Sequence, residues 1–478
     1  MAFKFFEHTP YLHLFERIGA IADQEQVAVY LVGGYVRDVL LQRPSKDIDF
    51  VVVGNGVEFA KAVSNQMSGS KLAYFKNFGT AQITFPDKED LDFEFVGARK
   101  ESYQRDSRKP IVEDGTLDDD LSRRDFTINA LAVSLNKESF GEIVDQFGGL
   151  KHLDEGVLKT PLEPARTYSD DPLRMMRAIR FATQLGFEIH PESLDAIKQE
   201  ASRIEIISQE RITDELNKII LTKKPSVGFE LLYNTGLLQI IFHELVALQG
   251  VETKNGIAHK DNFYHTLKVL DNLCETTDDL WLRWAAIMHD IGKPASKRFS
   301  DEHGWTFHGH EVIGERMTKG IFRRMKLPMN EHMKYVQKLV ALHLRPIALM
   351  NEVTDSAIRR LIVDAGEDLD DLFKLCKADI TSKNERKVQR IIRGFENVQQ
   401  KVKDVEERDQ LRNWNPPVTG EDVMTCFDLK PSRAVGDIKN AVREAILNGD
   451  IPNNRELAID YMVKIGMELG LEVKNKLT

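Results

Sequence analysis

Cysteine is scarce in this chain of 478 residues, which contains only Cys274, Cys376 and Cys426. Their wide spacing fits neither a disulfide framework nor a zinc ribbon. Long apolar runs are also missing, because no stretch approaches the roughly 20 residues that cross a bilayer. Residues 1–18 mix charged with apolar side chains, which excludes the uninterrupted apolar core of a signal peptide. We therefore expect a cytoplasmic protein without a membrane segment.

An excess of basic residues is missing too. Lys and Arg total 65 against 75 Asp and Glu, a net charge of −10, whereas proteins that grip nucleic acid by its phosphates usually carry a positive excess. Hydrophobic residues at 42% and charged residues at 29% are ordinary for globular proteins. At roughly 100–200 residues per domain, the length predicts two to four domains.

The periodicity of apolar residues changes along the chain. Residues 27–32 and 47–54 have the pattern of strands, with a helix predicted at 35–41 between them. Alternation at 80–85 and 91–96, around a turn at 86–90, predicts a hairpin. From residue 154 onward the pattern is helical. We expect an α/β head followed by a long all-α body, in five segments: 1–26, an N-terminal helical extension; 27–150, the head; 151–250, a helical neck; 251–400, a second helical domain; and 401–478, a helical tail.

The densest motif runs from Leu31 through Gly33, Gly34 and Asp38 to Asp47-Ile-Asp49. Carboxylates two apart on a strand point to the same face, where their repulsion favours a bound cation, and hard oxygen ligands suit Mg²⁺. The Gly-Gly pair between a strand and a helix offers backbone N–H groups to phosphates. Each half alone also fits a solvated strand face or an ordinary turn; together they indicate a nucleotide site.

Two further motifs make a resemblance clear: Arg123-Arg-Asp-Phe-Thr-Ile-Asn-Ala130 and Asp170-Asp-Pro-Leu-Arg174. Over roughly residues 25–240 the sequence resembles the class II tRNA nucleotidyltransferase and bacterial poly(A) polymerase family, a branch of the DNA polymerase β-like nucleotidyltransferases. The resemblance implies a mixed sheet with helices in the head, two-metal nucleotidyl transfer, and a neck for nucleotide selection and RNA binding.

The family's catalytic carboxylates correspond to Asp47 and Asp49, which would hold Mg²⁺, and to Glu94 as the third. Asp92 has the same facing as Glu94 and is the competing choice for that role. The resemblance also implies contacts to the ribose and triphosphate of the incoming nucleotide. The residues implied in nucleotide binding are Gly33, Gly34, Arg37, Arg124, Asp125, Asn129, Asp171, Arg174 and Arg177.

Asp125 has a second interpretation, as the N-cap of a helix beginning at Phe126. Asp171 and Arg174 are three apart and predicted to be neighbours on a helix. Cytosine and adenine both present an amino donor beside a ring-nitrogen acceptor, so one Asp and one Arg can pair with both bases. An ordinary surface ion pair is the alternative. The family's usual Glu at the preceding position is Asp170 here, which leaves open what orients Arg174.

Residues 99–120 are polar and predict a mobile loop. In related CCA-adding enzymes, a flexible loop here is implicated in switching from CTP to ATP.

Histidines cluster in the body of the chain. The order His265, His289-Asp290 and Asp379 resembles the HD-domain metal-dependent phosphohydrolases over roughly residues 255–385. Mixed imidazole and carboxylate ligands suit Mn²⁺, Co²⁺ or Ni²⁺ better than Mg²⁺. Any one of these histidines alone would more often be a structural residue. Further ligands could come from three more histidines: His308, His310 and His343.

The tail, with a helix predicted at 438–447, resembles the C-terminal part of HD-containing CCA enzymes. Gly436 and Ala441 predict close helix packing, with contact to the tRNA elbow as the alternative.

The sequence therefore predicts a CCA-adding tRNA nucleotidyltransferase that uses CTP and ATP on the tRNA 3′ end, with a second, phosphohydrolase activity in the HD domain. A poly(A) polymerase, a partial CC- or A-adding enzyme, and an RNA-binding HD phosphohydrolase are the alternatives. The charge of −10 favours a transient RNA substrate that is released after three additions. Oligomeric state is left open.

Overall fold

The computed structural model describes residues 5–67, 69–75, 79–85, 91–104, 107–255, 257–350, 354–382, 384–409, 414 and 416–477. The chain forms two compact units, Met1–Val246 and Ala247–Thr478. No helix among the described residues is long and apolar enough to span a membrane.

The strands are β1 Ala28–Val32, β2 Asp47–Val53, β3 Lys71–Phe75, β4 Thr80–Phe85, β5 Leu91–Gly97, β6 Arg99–Gln104, β7 Ser107–Asp114, β8 Ala132–Ser134, β9 Ile143–Val144, β10 Val157–Leu158, β11 Glu188–Ile189, β12 Thr253–Lys254, β13 Ile257–Ala258, β14 Arg298–Ser300 and β15 Gly304–Thr306.

The helices of the first unit are α1 Leu12–Gln24, α2 Gly34–Leu40, α3 Gly56–Gln66, α4 Leu117–Ser122, α5 Gly149–Glu155, α6 Pro164–Asp170, α7 Leu173–Leu185, α8 Pro191–Glu200, α9 Gln209–Ile220, α10 Pro225–Asn234, α11 Leu237–Ile241 and α12 His243–Val246. Those of the second unit are α13 Asn262–Cys274, α14 Leu280–Met288, α15 Lys293–Ser296, α16 His310–Arg324, α17 Glu331–Leu342, α18 Arg345–Ala348, α19 Asp355–Ala365, α20 Leu369–Ala378, α21 Glu385–Asp409, α22 Gly420–Phe427, α23 Arg433–Asn448 and α24 Arg455–Glu468.

The head is built on a seven-stranded sheet in the order β3-β4-β5-β2-β1-β8-β9. Only the β2/β5 pair of this sheet is parallel; the other neighbours are antiparallel. Because side chains alternate along a strand, Ile48, Phe50 and Val52 of β2 enter the main core while Asp47 and Asp49 face the other side. A stacked pair, Phe50 and Phe95 with ring centroids 4.5 Å apart, joins β2 to β5. This core fixes the strand that carries the carboxylates.

The predicted α/β head and helical body are confirmed, with β4 and β5 pairing as the expected hairpin. The turn predicted at 86–90 lies outside the described residues. The loop predicted at 99–120 is wrong: β6 and β7 form an antiparallel ribbon, and α4 follows it. A mainly polar two-stranded ribbon lacks the apolar alternation by which strands are recognised. The segment therefore has regular backbone pairing.

The tail forms a small three-helix core from α22, α23 and α24. The packing role predicted for Gly436 is wrong, because a Cβ atom built there meets nothing within 4 Å. The close approach occurs instead at Gly466 of α24, where a Cβ atom would lie 2.1 Å from Cζ of Phe427. A glycine at 466 is therefore what lets α24 pack against α22.

Candidate active site

The carboxylates of the head meet across the only parallel pair of the main sheet. Backbone pairing places Asp49 opposite Glu94 and Asp47 opposite Asp92, so all four side chains project from one face. The Thr84 hydroxyl donates a hydrogen bond of 2.6 Å to Asp92, which ties that carboxylate to the neighbouring strand. The register thus favours Glu94 as the third carboxylate.

Electrostatics at this cluster suits a cation. Burial raises the pKa of Asp49; the Arg124 guanidinium opposes the rise and the Asp47 carboxylate adds to it. Burial likewise raises the pKa of Glu94, to which the charge of Asp49 contributes. The neighbouring guanidinium groups of Arg124 and Arg99 therefore do not offset burial and carboxylate repulsion at these two residues. A hard divalent cation such as Mg²⁺ would supply the positive charge that offsets them, through oxygen ligands.

A tight turn brings backbone N–H groups beside the carboxylates. In the antiparallel pairing of β1 with β2, Val32 lies opposite Asp49, so the following residue, Gly33, sits at the cluster. Gly33 has φ of +73°, a region that side chains disfavour. A Cβ atom there would lie 2.9 Å from Nη1 of Arg124 and 3.5 Å from Oδ2 of Asp49. The turn therefore favours glycine both for its backbone and because Arg124 crowds the position of a Cβ atom.

Asp125 is the centre of a buried polar network rather than a helix cap. Its Oδ1 accepts hydrogen bonds of 2.9 Å from Nδ2 of Asn129 and from the N–H of Phe126, and its Oδ2 accepts one of 2.8 Å from Nε of Arg177. Nη1 of Arg37 donates to Oδ1 of Asn129 at 2.8 Å. The helix expected from Phe126 is only a 3₁₀ turn, Thr127–Asn129. Four predicted nucleotide-binding residues are thus linked to one another.

Asp120 was not recognised from the sequence. It is fully buried, its Oδ1 lies 2.5 Å from Nη2 of Arg123, and its Oδ2 lies 2.9 Å from Nη2 of Arg124. Burial would raise the pKa of Asp120, but the two guanidinium groups lower it below its ordinary value. In the sequence this residue belongs to an acidic run that resembles a solvated helix start. Its role is to hold both arginines of the motif.

The prediction that Asp171 and Arg174 share one helix is wrong, because Asp171 has extended backbone between α6 and α7 and only Arg174 lies in the first turn of α7. Oδ1 of Asp171 accepts a hydrogen bond from the N–H of Leu173, and Nη2 of Arg174 donates one of 2.6 Å to the carbonyl oxygen of Arg123. This carbonyl orients the Arg174 guanidinium, a role that sequence comparison assigned to the position of Asp170. Among the described contacts, Asp171 and Arg174 are joined by a backbone hydrogen bond, while the Asp171 carboxylate lies 3.7 Å from Nη2 of Arg211.

A cavity of about 430 Å³ brings these groups together. Of the predicted residues it is lined by Gly33, Gly34, Arg37, Asp47, Asp49, Arg124, Asp125, Asn129, Asp171, Arg174 and Arg177. Glu94 lies on the adjoining strand beside Asp49. Lining residues that were not predicted include Asp38, Arg180, Phe181 and Gln184. The three arginines of α7 follow one another at intervals of three residues, the one signal that could have revealed Arg180.

The second unit contains two adjacent groups of metal-ligand type: His265, His289 and Asp379; and Asp290, His310 and His343. Asp290 connects them, because its Oδ2 lies 3.2 Å from Nε2 of His289 and its Oδ1 lies 3.3 Å from Nε2 of His310. The four predicted residues are therefore brought together, with His310 and His343 beside them. His308 is exposed and belongs to neither group.

The histidine rings are oriented for metal binding. Nδ1 of His289, His310 and His343 each lies 2.7 Å from a backbone carbonyl oxygen, so Nδ1 donates a proton there and each ring, when neutral, presents the lone pair of Nε2. Nε2 of His289 is buried without a hydrogen bond, and the Nε2 atoms of His310 and His343 face each other at 3.3 Å. Burial lowers the pKa of His343 to about 4, which keeps its ring neutral. These donors fit divalent cations.

Comparison with known families matches three stretches of the chain. Residues 29–159 match the poly A polymerase head domain, residues 186–248 match the probable RNA and SrmB-binding site of polymerase A, and residues 262–384 match the HD domain. The first contains the carboxylates and the nucleotide-site residues up to Asn129, and the third contains the histidine and aspartate groups. Asp171, Arg174 and Arg177 lie between the first and second stretches.

Two curated relatives match over most of their length. The A-adding tRNA nucleotidyltransferase of Deinococcus radiodurans is 31% identical over 435 residues, which cover 89% of this chain and 93% of that protein. The chain belongs to the tRNA nucleotidyltransferase family. The Multifunctional CCA protein of Haemophilus influenzae is 35% identical over 332 residues, which cover 66% of this chain and 73% of that one. These similarities confirm that the head resembles poly(A) polymerase-type nucleotidyltransferases and that the second helical domain resembles HD domains.

Solved structures agree with this fold. The CCA-adding enzyme of Bacillus stearothermophilus, crystallised with CTP, superposes with a TM-score of 0.65 at 21% identity, covering 97% of this chain and 99% of that one. The CCA-adding enzyme of Thermotoga maritima, complexed with tRNA, gives a TM-score of 0.59 at 22% identity and covers 96% of each chain. Both share the architecture of this tRNA nucleotidyltransferase.

Proposed function

We propose that this tRNA nucleotidyltransferase adds and repairs the 3′-terminal CCA of tRNA from CTP and ATP, without a nucleic-acid template. The observation that carries the proposal is one cavity lined both by the carboxylates Asp47 and Asp49 and by Asp171 and Arg174. A site with the first pair alone would transfer nucleotides without choosing them. The second pair gives the cavity groups that distinguish bases.

Asp47 and Asp49 would hold two Mg²⁺ ions, and the chemistry that these ions would supply is activation of a 3′-hydroxyl and neutralisation of the leaving pyrophosphate. Glu94, with its raised pKa and its place beside Asp49, is a base for the proton of that hydroxyl. The turn at Gly33 and Gly34 directs backbone N–H groups to the triphosphate, while Asp125 and Asn129 hold the ribose through the network around Arg37 and Arg177. Each group acts on a different part of the nucleotide.

Base choice follows from donors and acceptors. The Asp171 carboxylate accepts from the amino group of cytosine or adenine, and the Arg174 guanidinium donates to the ring nitrogen beside it. Uracil and guanine present the reverse order and leave both side chains unpaired. Because the Arg123 carbonyl already holds Nη2 of Arg174, the remaining guanidinium donors face the base in a fixed plane.

The test is extension of three tRNAs, ending before CCA, after the first C and after CC, with CTP or ATP alone and with both. We expect two C additions from CTP alone on the first tRNA, one A addition from ATP alone on the third, and three additions from both on the first. Growth of a long A tail would refute CCA addition and indicate a poly(A) polymerase.

A partial, A-adding activity is the second candidate. It is favoured by the near full-length similarity to the A-adding tRNA nucleotidyltransferase of Deinococcus radiodurans. In the same assay, an A-adding enzyme would extend only the tRNA that ends in CC and would leave CTP unused. Incorporation of C on the tRNA that ends before CCA excludes it.

For the HD domain we propose a metal-dependent phosphohydrolase that uses Mn²⁺, Co²⁺ or Ni²⁺. The ion would be held by four residues: His265, His289, Asp290 and Asp379. His310 and His343 would lie beside the second carboxylate oxygen of Asp290, Oδ1. Metal analysis of the purified protein tests this independently of turnover. We expect bound metal in the intact chain and its loss in His289→Ala; equal metal content in the two proteins would refute the site.

A further inference from the structure

Two short β-hairpins lead directly into helices that carry the HD centre. The first, β12 with β13, precedes α13 and its His265; the second, β14 with β15, precedes α16, which begins at His310. The two hairpins adjoin, because β13 packs beside β15. The carbonyl oxygen of Phe307, directly after β15, lies 2.7 Å from Nδ1 of His310. The second hairpin therefore has a fixed place relative to the HD centre.

Four aromatic rings of these hairpins lie against one another: His259, Phe299, Trp305 and Phe307. The His259 ring centroid lies 5.3 Å from that of Trp305 and 5.9 Å from that of Phe307, with the ring planes nearly perpendicular. The Phe299 ring centroid lies 5.1 Å from that of Trp305. All four side chains are partly exposed, whereas Trp284 of α14 is fully buried. We call these four rings the aromatic platform, and part of its surface is open to a ligand.

The His259 ring is held by the backbone at both of its nitrogen atoms. Its Nε2 accepts a hydrogen bond of 3.1 Å from the N–H of Glu252, and its Nδ1 donates one of 2.8 Å to the carbonyl oxygen of Lys260. Both nitrogens of a neutral imidazole are then engaged. His259 also belongs to neither group of metal-ligand type in the described part of the chain. Its ring can therefore contact a ligand only through its faces.

Lysine side chains lie over the rings of the platform. The Nζ atoms lie 4.8 Å from the Phe299 centroid for Lys254, 4.7 Å from the Trp305 centroid for Lys297, and 5.7 Å from the Phe307 centroid for Lys293. Lys293 also donates a hydrogen bond of 2.6 Å to Oδ2 of Asp290. One lysine thus contacts both the platform and the HD centre. The positive charges favour an anionic ligand beside the rings.

The combination of rings and lysines indicates the chemical class of that ligand. Proteins hold single nucleotides and single strands by stacking bases on aromatic side chains and by attracting phosphates with basic ones. A phosphate ester of an aliphatic alcohol would use the lysines but would leave the rings without a function. Because the platform adjoins a centre that suits phosphohydrolysis, a nucleoside phosphate uses both parts at once.

We propose that the aromatic platform binds the base of a nucleoside phosphate whose phosphate group lies at the HD centre, with Trp305 as the main stacking residue. The inference rests on the phosphohydrolase function proposed for the HD domain and specifies its substrate. Trp305 is chosen because its indole has the largest aromatic face of the four rings. A free mononucleotide and the end of a single-stranded RNA present the same base and phosphate, and the experiment separates these two sources.

The experiment uses the full chain with three ligands: adenosine 5′-monophosphate, ribose 5-phosphate, which lacks the base, and a four-residue oligoadenylate with a 3′-phosphate. Tryptophan fluorescence reports binding in this unit, because all four tryptophans lie in it. Hydrolysis with Mn²⁺ gives KM and kcat, and metal analysis shows whether the centre is intact.

Three variants test the role of the indole. Trp305→Leu removes the ring, and Trp305→Phe keeps a smaller one. Trp281→Leu is the matched control, because Trp281 stacks on His332 at the start of α14, whereas His289 follows the end of that helix. Each variant loses one tryptophan, so the fluorescence background is the same.

We expect the wild type to bind the base-containing ligand about tenfold more tightly than ribose 5-phosphate, as for stacking of one base. Trp305→Leu should lose this preference and the fluorescence change, and its KM for adenosine monophosphate should rise about tenfold at unchanged metal content. Trp305→Phe should keep most of the preference in KM, and Trp281→Leu should behave as the wild type. Tighter binding of the oligoadenylate than of the mononucleotide, with the same dependence on Trp305, would assign the platform to an RNA end.

Equal affinity of the wild type for adenosine monophosphate and ribose 5-phosphate would overturn the proposal, and this result needs no variant to fold. A fluorescence change or a base preference that persists in Trp305→Leu would overturn it as well. The proposed phosphohydrolase is tested separately. If no ester is hydrolysed but base-dependent binding is lost in Trp305→Leu, that function fails while the subsite stands; if both esters are hydrolysed with equal KM, the function stands and the subsite fails.

Discussion

The Asp125–Arg177 pair allows a prediction whose size follows from the structure. Asp125 is 7% exposed and accepts hydrogen bonds from Arg177, Asn129 and the N–H of Phe126. Burial opposes its ionisation, but Arg177 and Asn129 prevail and lower its pKa from 3.8 to about 2. At about 1.4 kcal/mol per tenfold change in proton affinity, the charged form contributes about 2 kcal/mol of stability. Asp125→Asn should therefore destabilise the head by about 2 kcal/mol at pH 7.

The pH dependence has a definite sign. A lowered pKa in the folded state means that the stability is present above the unfolded value of 3.8 and is lost as the pH falls toward about 2. The difference in the free energy of unfolding between wild type and Asp125→Asn should therefore be smaller by roughly a quarter at pH 3.5 than at pH 7.

Hydrogen exchange of the amides in 127–134, followed by mass spectrometry, measures this local stability. All four tryptophans, at 281, 284, 305 and 414, lie in the second unit, so their fluorescence in urea is an internal reference that should not change. Asp195→Asn is a matched surface control, because Asp195 is 65% exposed and pairs only with Lys198 at the helix surface among the described contacts. A difference in unfolding free energy between wild type and Asp125→Asn that is below about 0.5 kcal/mol, or that does not change with pH, would refute the reasoning.

The other predictions concern the two sites separately. Asp47→Ala should abolish nucleotide addition, while the HD domain should still hydrolyse a chromogenic phosphate ester with Mn²⁺, Co²⁺ or Ni²⁺. His289→Ala should abolish this hydrolysis and leave nucleotide addition intact. Loss of both activities in either folded variant would contradict two separate sites. Gly33→Ala should raise KM for CTP and ATP by about tenfold or more, since its φ of +73° and the 2.9 Å approach to Arg124 leave no room for a methyl group; unchanged KM values would remove the turn from phosphate binding. Arg174→Ala should relax the preference for CTP and ATP over UTP in single-nucleotide extension, and unchanged discrimination would exclude Arg174 from base selection.

The sequence predicted those parts of the head in which the pattern of neighbouring residues indicates both the secondary structure and the functional side chains. Asp47 and Asp49 alternate with the apolar residues of β2, so both their strand and their shared face were readable. The family resemblance already preferred Glu94 to Asp92, and the strand register and the Thr84 hydrogen bond, which depend on pairing between distant segments, support that choice.

Buried residues that hold the lining side chains in place could not be predicted from the sequence. Asp120 lies on a helix whose charged positions resemble a solvated face, and only tertiary packing buries it. Gly436 is a position where the sequence predicted a contact that the structure does not make. Close helix packing was expected at this small residue, but in the tail it occurs at Gly466. In the HD domain the resemblance implied four ligands and left His308, His310 and His343 as candidates for more. Which of these three histidines joins the site depended on how α16 and α17 pack.

The most direct test of the central claim is to sequence the 3′ ends formed when a tRNA lacking CCA is incubated with the full chain, Mg²⁺ and all four nucleoside triphosphates at equal concentration. The account predicts that C, C and A are added in that order and that growth then stops. Ends that carry a single A, a run of A, or a mixture including U and G would contradict it.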